Sequence, residues 1–231
     1  MLSGTISNTI EQAAGLSFVD LSDNAFSGTI PVELYLLDSL EYMYLSINQF
    51  TGSISSFIGE MKQVRELGLG NNNLSGSIPF EFGNLENMSE YIEKCFLCSF
   101  YQLSRWTHFY FPCNITPTAY FSINENGLSG EIPSSIDLLG KLKTLDLSNN
   151  FFHGKISEKL YSLTNLEFLM LSSNQLTGTI SSQMNKLEKL FEFHADDNFI
   201  DGTIPKEIKE MNICKSKCNL SFSVSFICVK A

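Results

Sequence analysis

One sequence unit returns along this chain every 24 residues. An Asn marks the unit and occurs at Asn24, Asn48, Asn72, Asn126, Asn150, Asn174 and Asn198. The step between neighbouring marks is 24 residues, except for one step of 54, which is a unit of 24 plus 30 further residues. Self-similarity at a fixed period of this length is typical of a solenoid, in which stacked units share one continuous core. The period therefore constrains the fold more strongly than length or composition does.

Each unit keeps its apolar side chains at fixed distances from the Asn. The positions five and three before it are apolar and alternate with variable residues, as Leu145 and Leu147 do before Asn150. This alternation predicts a short strand with one buried face. The position four after the Asn is always Gly, which suits a backbone turn that a side chain would obstruct. The marking asparagines are predicted to form a structural ladder, because each amide can bond the backbone of the adjacent turn.

The unit L-x-x-L-x-L-x-x-N-x-L-S-G-x-I-P resembles the plant-specific extracellular class of leucine-rich repeat. This class occurs in receptor-like kinases, receptor-like proteins and polygalacturonase-inhibiting proteins. The resemblance implies an α/β horseshoe-type leucine-rich repeat solenoid, with parallel β-strands on the concave face and short 3-10 or helical turns on the convex side. It covers residues 1–87, where the first unit is truncated, and residues 118–213.

The repeat frame is lost in two segments of the chain. After Met88 the next core positions in frame would be Tyr91 and Glu93, and a carboxylate cannot occupy a strand core without a partner. Residues 88–117 are therefore predicted to be an irregular insert rich in Cys and aromatic residues, or a degenerate repeat. Translated intron sequence is an alternative origin for this segment. Residues 214–231 are predicted to be an irregular tail.

All the cysteines lie in these two irregular segments, at Cys95, Cys98, Cys113, Cys214, Cys218 and Cys228. Each segment holds three of them, so neither can pair its cysteines completely within itself. The Cys-x-x-Cys pair followed by His108 and Cys113 has ligand types that zinc accepts, but the spacing fits known fingers poorly. We therefore expect disulfides or unpaired thiols here, and neither a metal nor any other cofactor.

Composition and motifs argue against several classes of function. The formal net charge is −10 and no basic stripe is present, so we expect no nucleic-acid partner. The sequence has no Walker loop, nucleophile elbow or kinase catalytic loop, and His108, His153 and His194 have no visible Ser or Cys with an orienting acid. The protein is therefore predicted not to be an enzyme. No signal peptide is visible, and no apolar run approaches the roughly 20 residues of a membrane span.

The side chains between the core positions of each strand are predicted to face outward, where packing leaves them free to carry specificity. The candidates for ligand binding on this concave face are Phe18, Tyr42, Tyr44, Glu66, Tyr120, Asp146, Phe168, Met170, Glu192 and His194. Aromatic side chains that stand side by side on a rigid sheet are typical anchors for a peptide or protein partner. Phe18, Tyr42 and Tyr44 form such a group, whereas Glu192 and His194 belong to an acidic end.

The resemblance, together with these residues, leads to a function hypothesis. It implies a non-catalytic recognition module from the ectodomain of a plant receptor-like kinase or receptor-like protein, on the extracellular face of the plasma membrane. Its partners would be a peptide or protein ligand and a co-receptor, in signalling or defence. Candidate N-glycosylation sequons stand at Asn73, Asn87, Asn114 and Asn219. Two alternatives remain. One is a secreted polygalacturonase-inhibitor-like protein. The other is a truncated gene product without function, and this second alternative is favoured by a sequence that starts inside a repeat unit.

Overall fold

The computed structural model describes residues 1–88 and 120–207 and the backbone of residues 225–226. Each 24-residue unit makes one turn of a solenoid, in which a three-residue strand is followed by a second strand and then by a short helical turn. The predicted horseshoe-type solenoid is confirmed. The predicted insert (88–117) and tail (214–231), with all six cysteines, His108, Asn114 and Asn219, lie outside the described residues, apart from Met88 and the strand at 225–226.

The first strands of seven turns, together with the strand Ser225–Phe226, form one eight-stranded sheet, which we call the concave sheet. Its strands pair in parallel, except that the last two pair antiparallel. The register places equivalent residues of successive turns side by side, so Leu145 lies between Phe121 and Leu169 and the core positions stack in columns. The strands are β2 (Phe18–Asp20), β4 (Tyr42–Tyr44), β6 (Glu66–Gly68), β8 (Tyr120–Ser122), β10 (Thr144–Asp146), β12 (Phe168–Met170), β14 (Glu192–His194) and β16 (Ser225–Phe226).

The segment around the repeated Gly forms a second eight-stranded sheet. The sequence predicted a turn here, and that prediction was incomplete. The glycines do adopt the left-handed backbone that a turn requires, with φ of 81° at Gly52 for example, yet the chain continues to pair with its neighbours on both sides. The strands are β1 (Ser3–Gly4), β3 (Ala25–Thr29), β5 (Gln49–Ser53), β7 (Asn73–Gly76), β9 (Gly127–Gly130), β11 (Phe151–Lys155), β13 (Gln175–Thr179) and β15 (Phe199–Asp201).

Short helical turns close each unit, as expected for the convex side. One is an α-helix, Val32–Tyr35, and the others are 3-10 helices at Asn8–Gln12, Ser56–Glu60, Phe80–Asn84, Ser134–Leu138, Glu158–Ser162 and Ser182–Lys186. Each helical turn begins after a Pro or a Ser, and this residue directly follows the Ile that recurs in every unit. Where this residue is Ser, its hydroxyl accepts a hydrogen bond from the backbone N–H two residues on, as Ser157 does from Lys159 at 3.3 Å.

The repeated asparagines join each turn to the one before it. The Asn150 amide nitrogen donates to the backbone oxygen of Ile123 at 3.0 Å, and its side-chain oxygen accepts from the backbone N–H of Leu128 at 3.1 Å. Asn48, Asn72, Asn126, Asn174 and Asn198 repeat this pair of bonds. The amides therefore satisfy backbone groups that the sheets leave open between turns.

The turns on either side of the 54-residue step stack directly on each other. Strand β6 pairs with β8, with Leu67 opposite Phe121. The side chain of Asn126 reaches back to the backbone of Leu69 and Leu74, as every other ladder Asn does to its preceding turn. The turn that begins with β8 is therefore the direct neighbour of the turn that begins with β6.

Candidate functional site

The side of the concave sheet that faces away from the core is the candidate site, and we call it the concave face. Because strand residues alternate between the two sides, each strand presents its first and third residues here while its middle residue enters the core. Pairing of the strands aligns these residues in two rows. The first row is Phe18, Tyr42, Glu66, Tyr120, Thr144, Phe168 and Glu192, and the second is Asp20, Tyr44, Gly68, Ser122, Asp146, Met170 and His194.

An aromatic cluster of Phe18, Tyr42 and Tyr44 occupies one end of the concave face. The Phe18 ring centroid lies 6.0 Å from that of Tyr42 and 5.9 Å from that of Tyr44, in tilted and edge-on geometry. The Tyr44 hydroxyl donates a hydrogen bond to the Glu66 carboxylate. Gly68 leaves room for this arrangement, because a Cβ there would stand only 3.3 Å from the Tyr44 ring. The cluster is thus held in one orientation, with Phe18 51% exposed at its outer edge.

Five of the ten candidate residues are buried, and the prediction that these positions are free was wrong for them. Tyr44, Glu66, Asp146, Phe168 and Met170 are only 3–8% exposed. Part of the reason is lateral packing, because side chains in one row are a single strand spacing apart, roughly 4.8 Å, and cover one another. Tyr42, Tyr120, Glu192 and His194 are half-buried. Phe18 alone of the ten is exposed, with about half of its surface open to solvent.

The other half of the concave face, from β10 to β14, carries polar and acidic groups on both sides of the apolar pair Phe168 and Met170. The Asp146 side-chain oxygen Oδ1 accepts hydrogen bonds from the backbone N–H and the hydroxyl of Ser148, at 3.0 and 2.6 Å. Burial raises the pKa of Asp146 to about 6, and the Ser148 hydrogen bonds only partly offset this effect. His194 Nε2 lies 3.6 Å from a carboxylate oxygen of Glu192. Asp196 accepts a hydrogen bond from the Ser172 hydroxyl at 2.5 Å.

Burial also raises the pKa of Glu66, and the hydrogen bond from Tyr44 lowers it by a smaller amount. Two carboxyl groups on this face are therefore held in surroundings that disfavour their charge. Glu66 lies in the first row, on β6, and Asp146 lies in the second row, on β10. The two carboxyl groups differ in their donors, because Glu66 accepts a hydrogen bond from the hydroxyl of Tyr44, whereas Asp146 accepts its hydrogen bonds from Ser148.

Sequence reasoning did not single out Thr144, which stands between Tyr120 and Phe168 in the first row. It is 3% exposed, and its hydroxyl has no hydrogen-bond partner. The signal that could have found it is its position six residues before Asn150, the same offset that placed Tyr42 among the candidates. Thr144 is a small polar residue between the larger Tyr120 and Phe168, and its residue type alone does not indicate a binding role.

Sites of other kinds are not evident in residues 1–88 and 120–207. Within these ranges no three His, Cys, Asp or Glu side chains are grouped so that they could hold a metal ion. His153 is exposed on β11, in the second sheet. A shallow depression beside β7 and β9 is lined by residues that include Asn73 and Glu125, away from the concave face. No helix in the described ranges is long and apolar enough to cross a bilayer.

The two described sequons differ in how available their amides are. The Asn73 side chain is exposed at the start of β7. The Asn87 amide nitrogen donates to the backbone oxygen of Lys62 at 2.7 Å, much as Asn165 donates to Gly140 at 2.8 Å in a later turn. Asn87 therefore has a structural role that Asn73 lacks.

A family model described as Leucine Rich Repeat matches residues 39–61, 63–85, 141–163 and 165–187. These segments fall in four of the turns described above. A search of curated protein sequences returned no match.

Solved structures of plant receptor ectodomains are similar to the chain. The leucine-rich repeat ectodomain of the membrane receptor kinase GASSHO1/SCHENGEN3 from Arabidopsis thaliana, in complex with CASPARIAN STRIP INTEGRITY FACTOR 2, is 27% identical with a TM-score of 0.74, over 89% of this chain and 21% of the receptor chain. The ectodomain of the Arabidopsis receptor kinase HAESA, in complex with an N-terminally extended IDA peptide hormone, is 33% identical with a TM-score of 0.75, over 91% of this chain and 31% of that one.

A second HAESA structure contains both the IDA peptide and the co-receptor SERK1. It is 33% identical with a TM-score of 0.63, over 92% of this chain and 34% of the HAESA chain. This chain therefore spans between about a fifth and a third of the length of the ectodomains that it resembles.

Proposed function

Because the chain is a leucine-rich repeat protein of the plant extracellular type, we propose that it is a non-catalytic recognition module that binds a peptide on its concave face. The module belongs to the ectodomain of a receptor-like kinase or receptor-like protein, and it acts outside the cell at the plasma membrane, in signalling or defence. The HAESA ectodomain that it resembles is bound to a peptide hormone in its structure, which supports this class of ligand.

The aromatic cluster carries this proposal. A binding surface needs large side chains that are already ordered before the partner arrives, because ordering them on binding costs affinity. Ring contacts and the hydrogen bond from Tyr44 to Glu66 fix the cluster, and Phe18 projects from it into solvent. Phe18 and its neighbour Tyr42 are therefore proposed as the apolar anchor for the ligand.

A co-receptor is proposed as a second partner. The HAESA structure with SERK1 shows that an ectodomain of this kind can hold a peptide and a second protein together. For this chain, the co-receptor would contact surfaces that the peptide leaves free. In this proposal the peptide alone occupies the concave face.

The proposal can be tested with a random library of 12-residue peptides displayed on their encoding messenger RNA and selected on the immobilised chain. We expect binders whose affinity falls at least tenfold when Phe18 is replaced in F18A. The matched control is F199A, because Phe199 is also an exposed Phe, 69% accessible, but lies in the second sheet. Affinities of individual peptides are measured by fluorescence anisotropy.

Two results would contradict the proposal. Selection could yield no binder above background. Alternatively, the binders could respond equally to F18A and F199A, which would place their contacts off the concave face. Tyr44 is not a useful test position, since its removal would leave the buried carboxyl of Glu66 without its donor.

A further inference from the structure

The carboxyl group of Asp146 is buried, and the cationic side chain that acts on it, His194, does so through space, by an attraction that lowers the pKa of the carboxyl group. Asp146 is 5% exposed, and both of its hydrogen bonds, from Ser148, go to the same oxygen, Oδ1. Among the described residues, none donates a hydrogen bond to the other oxygen or lies within ion-pair distance of this group. The cationic side chain just before this strand, Lys143, contacts Glu167 at 3.4 Å. Buried carboxylates in proteins are usually paired with a cation or hydrogen-bonded at both oxygens, and Asp146 has hydrogen bonds at one oxygen only.

A second polar group beside Asp146 also lacks a partner. Thr144 lies two residues earlier on β10, and because Leu145 between them enters the core, both side chains stand on the concave face. The Thr144 hydroxyl is buried and has no hydrogen-bond partner, which is rare for a buried polar group. On β14, His194 Nε2 likewise has no hydrogen bond, since its 3.6 Å contact with Glu192 is too long.

We propose that Thr144 and Asp146 bind a cationic group of the peptide, either an Arg or Lys side chain or the amino terminus. This inference rests on the function proposed above and specifies the chemistry of the ligand. The N–H groups of the cation donate to the free oxygen of Asp146 and to the Thr144 hydroxyl, so that one group satisfies both. Glu125 adds negative charge that acts on Asp146, and His194, which itself contacts Glu192, acts on it in the opposite direction. A pair formed away from water is screened less by salt than one on the open surface.

The position of this site relative to the aromatic cluster predicts the spacing within the ligand. The cluster ends on β4 and the polar pair is on β10, three strand steps away across β6 and β8. Three steps of about 4.8 Å correspond to roughly 14 Å, which an extended peptide covers with about four residues. The ligand is therefore inferred to carry a cationic residue about four positions from an aromatic or large apolar one.

The peptides selected on the full chain provide the probe. We expect the enriched sequences to place Arg or Lys about four residues from an aromatic residue. Replacing that Arg by citrulline, which keeps the shape and removes the charge, should weaken binding to the wild-type chain at least tenfold. D146N should weaken the Arg peptide by a similar factor and leave the citrulline peptide unchanged. The control is E131Q, since Glu131 is an exposed acid that follows β9 of the second sheet.

The outcomes separate this inference from the proposed function. Peptides that depend on Phe18 but show no cation preference, and that bind D146N as well as wild type, would overturn the cation site and leave the recognition function standing. A library without any Phe18-dependent binder would overturn both. If D146N does not fold, as judged by its thermal unfolding, the comparison of Arg and citrulline peptides on the wild-type chain still decides the question.

Discussion

At the scale of single residues, the side chain of Asn150 joins two turns of the solenoid. Replacing it by Ala leaves the backbone oxygen of Ile123 and the N–H of Leu128 without partners in a buried region. We expect N150A to lower the free energy of unfolding by about 3 kcal/mol, since each unsatisfied buried group costs about 1–3 kcal/mol. The measurement is urea denaturation followed by circular dichroism.

The control for this change is N84A, because the Asn84 side chain is exposed on a helical turn. It should alter the free energy of unfolding by less than about 0.5 kcal/mol. Equal losses for the two variants would show that the ladder amides contribute nothing beyond an ordinary surface Asn.

The residue before each ladder Asn has a left-handed backbone, and in one turn that residue is Ile47, with φ of 58°. A β-branched side chain is unfavourable there, whereas Asn tolerates this conformation and occupies the equivalent place at Asn71 and Asn149. We expect I47N to raise the free energy of unfolding by about 1 kcal/mol. I47V keeps the branch and should give no gain. A loss of stability in I47N would mean that the packing of the half-buried Ile47 side chain outweighs the backbone strain.

Asp146 makes stability depend on pH. Its pKa of about 6 lies above the roughly 3.9 of an unfolded chain, so the folded protein binds the proton more tightly. The resulting stabilisation is complete below about pH 4 and is lost as pH rises through 6. Between pH 4 and pH 7 the wild-type chain should lose about 2 kcal/mol more than D146N does. Urea denaturation at both pH values measures this difference, and parallel losses in the two proteins would contradict the prediction.

At the scale of elements, the sequence predicted one sheet and missed the other. The strands of the concave sheet follow from the alternation of core and outward residues, for which Leu145 between Thr144 and Asp146 is typical. The second sheet has no such clear signal, because the repeated Gly lies within or at the end of its strands, or directly after the strand in β15, and Gly weakens a strand prediction. The pairing that makes these segments strands comes from the neighbouring turns, and a single unit does not contain that information.

Gly52 shows what the second sheet requires of its glycines. Its φ is 81°, and a Cβ would stand 2.9 Å from a methyl carbon of Thr29 in the neighbouring strand. We expect G52A to lower the free energy of unfolding by about 1–2 kcal/mol, because the left-handed backbone disfavours Ala. G140A is the matched control, since no atom lies within 4 Å of a Cβ at Gly140. Thermal unfolding of both variants gives the comparison. If G52A unfolds at the same temperature as the wild-type protein, the left-handed backbone at Gly52 does not require glycine.

At the scale of the whole molecule, the direct pairing of β6 with β8 makes a deletion informative. The spacing from Glu66 to Tyr120 is 54 residues, and removing 30 of them, 89–118, restores the 24 residues of an ordinary turn. We expect this deletion to fold with the same helical and strand content and with a Tm within about 5 °C of wild type. Circular dichroism and a thermal melt are the measurements.

A deletion of one residue more, 89–119, is the control. It leaves 23 residues and shifts β8 out of register, which would turn core residues such as Phe121 toward the opposite side. The protein with this second deletion should unfold at a much lower temperature than the wild-type protein. If both deletions unfold alike, the residues removed are needed for the stack itself.

The candidate site was less predictable than the stack. The period shows which residues share the concave face, because that depends only on alternation within a strand. It does not show how much of each side chain stays accessible, since this depends on contacts with other turns and on side-chain size. Phe18 and Phe168 have the same offset from their asparagines, yet one is 51% and the other 4% exposed. The site proposed at Asp146 likewise rests on the hydrogen-bond donors around its carboxyl group. These donors come from the folded structure and cannot be read from the sequence.

Hydrogen bonds from each ladder Asn run only to its own turn and to the one before it. A change on the outward side of one turn therefore has no structural consequence several turns away, which is unlike a globular core, where neighbours repack around every substitution. Such a chain can explore new ligands one turn at a time during evolution, with the rest of the surface kept intact. The same arrangement allows whole turns to be gained or lost as units of inheritance, since each brings its own amide to bond the turn before it.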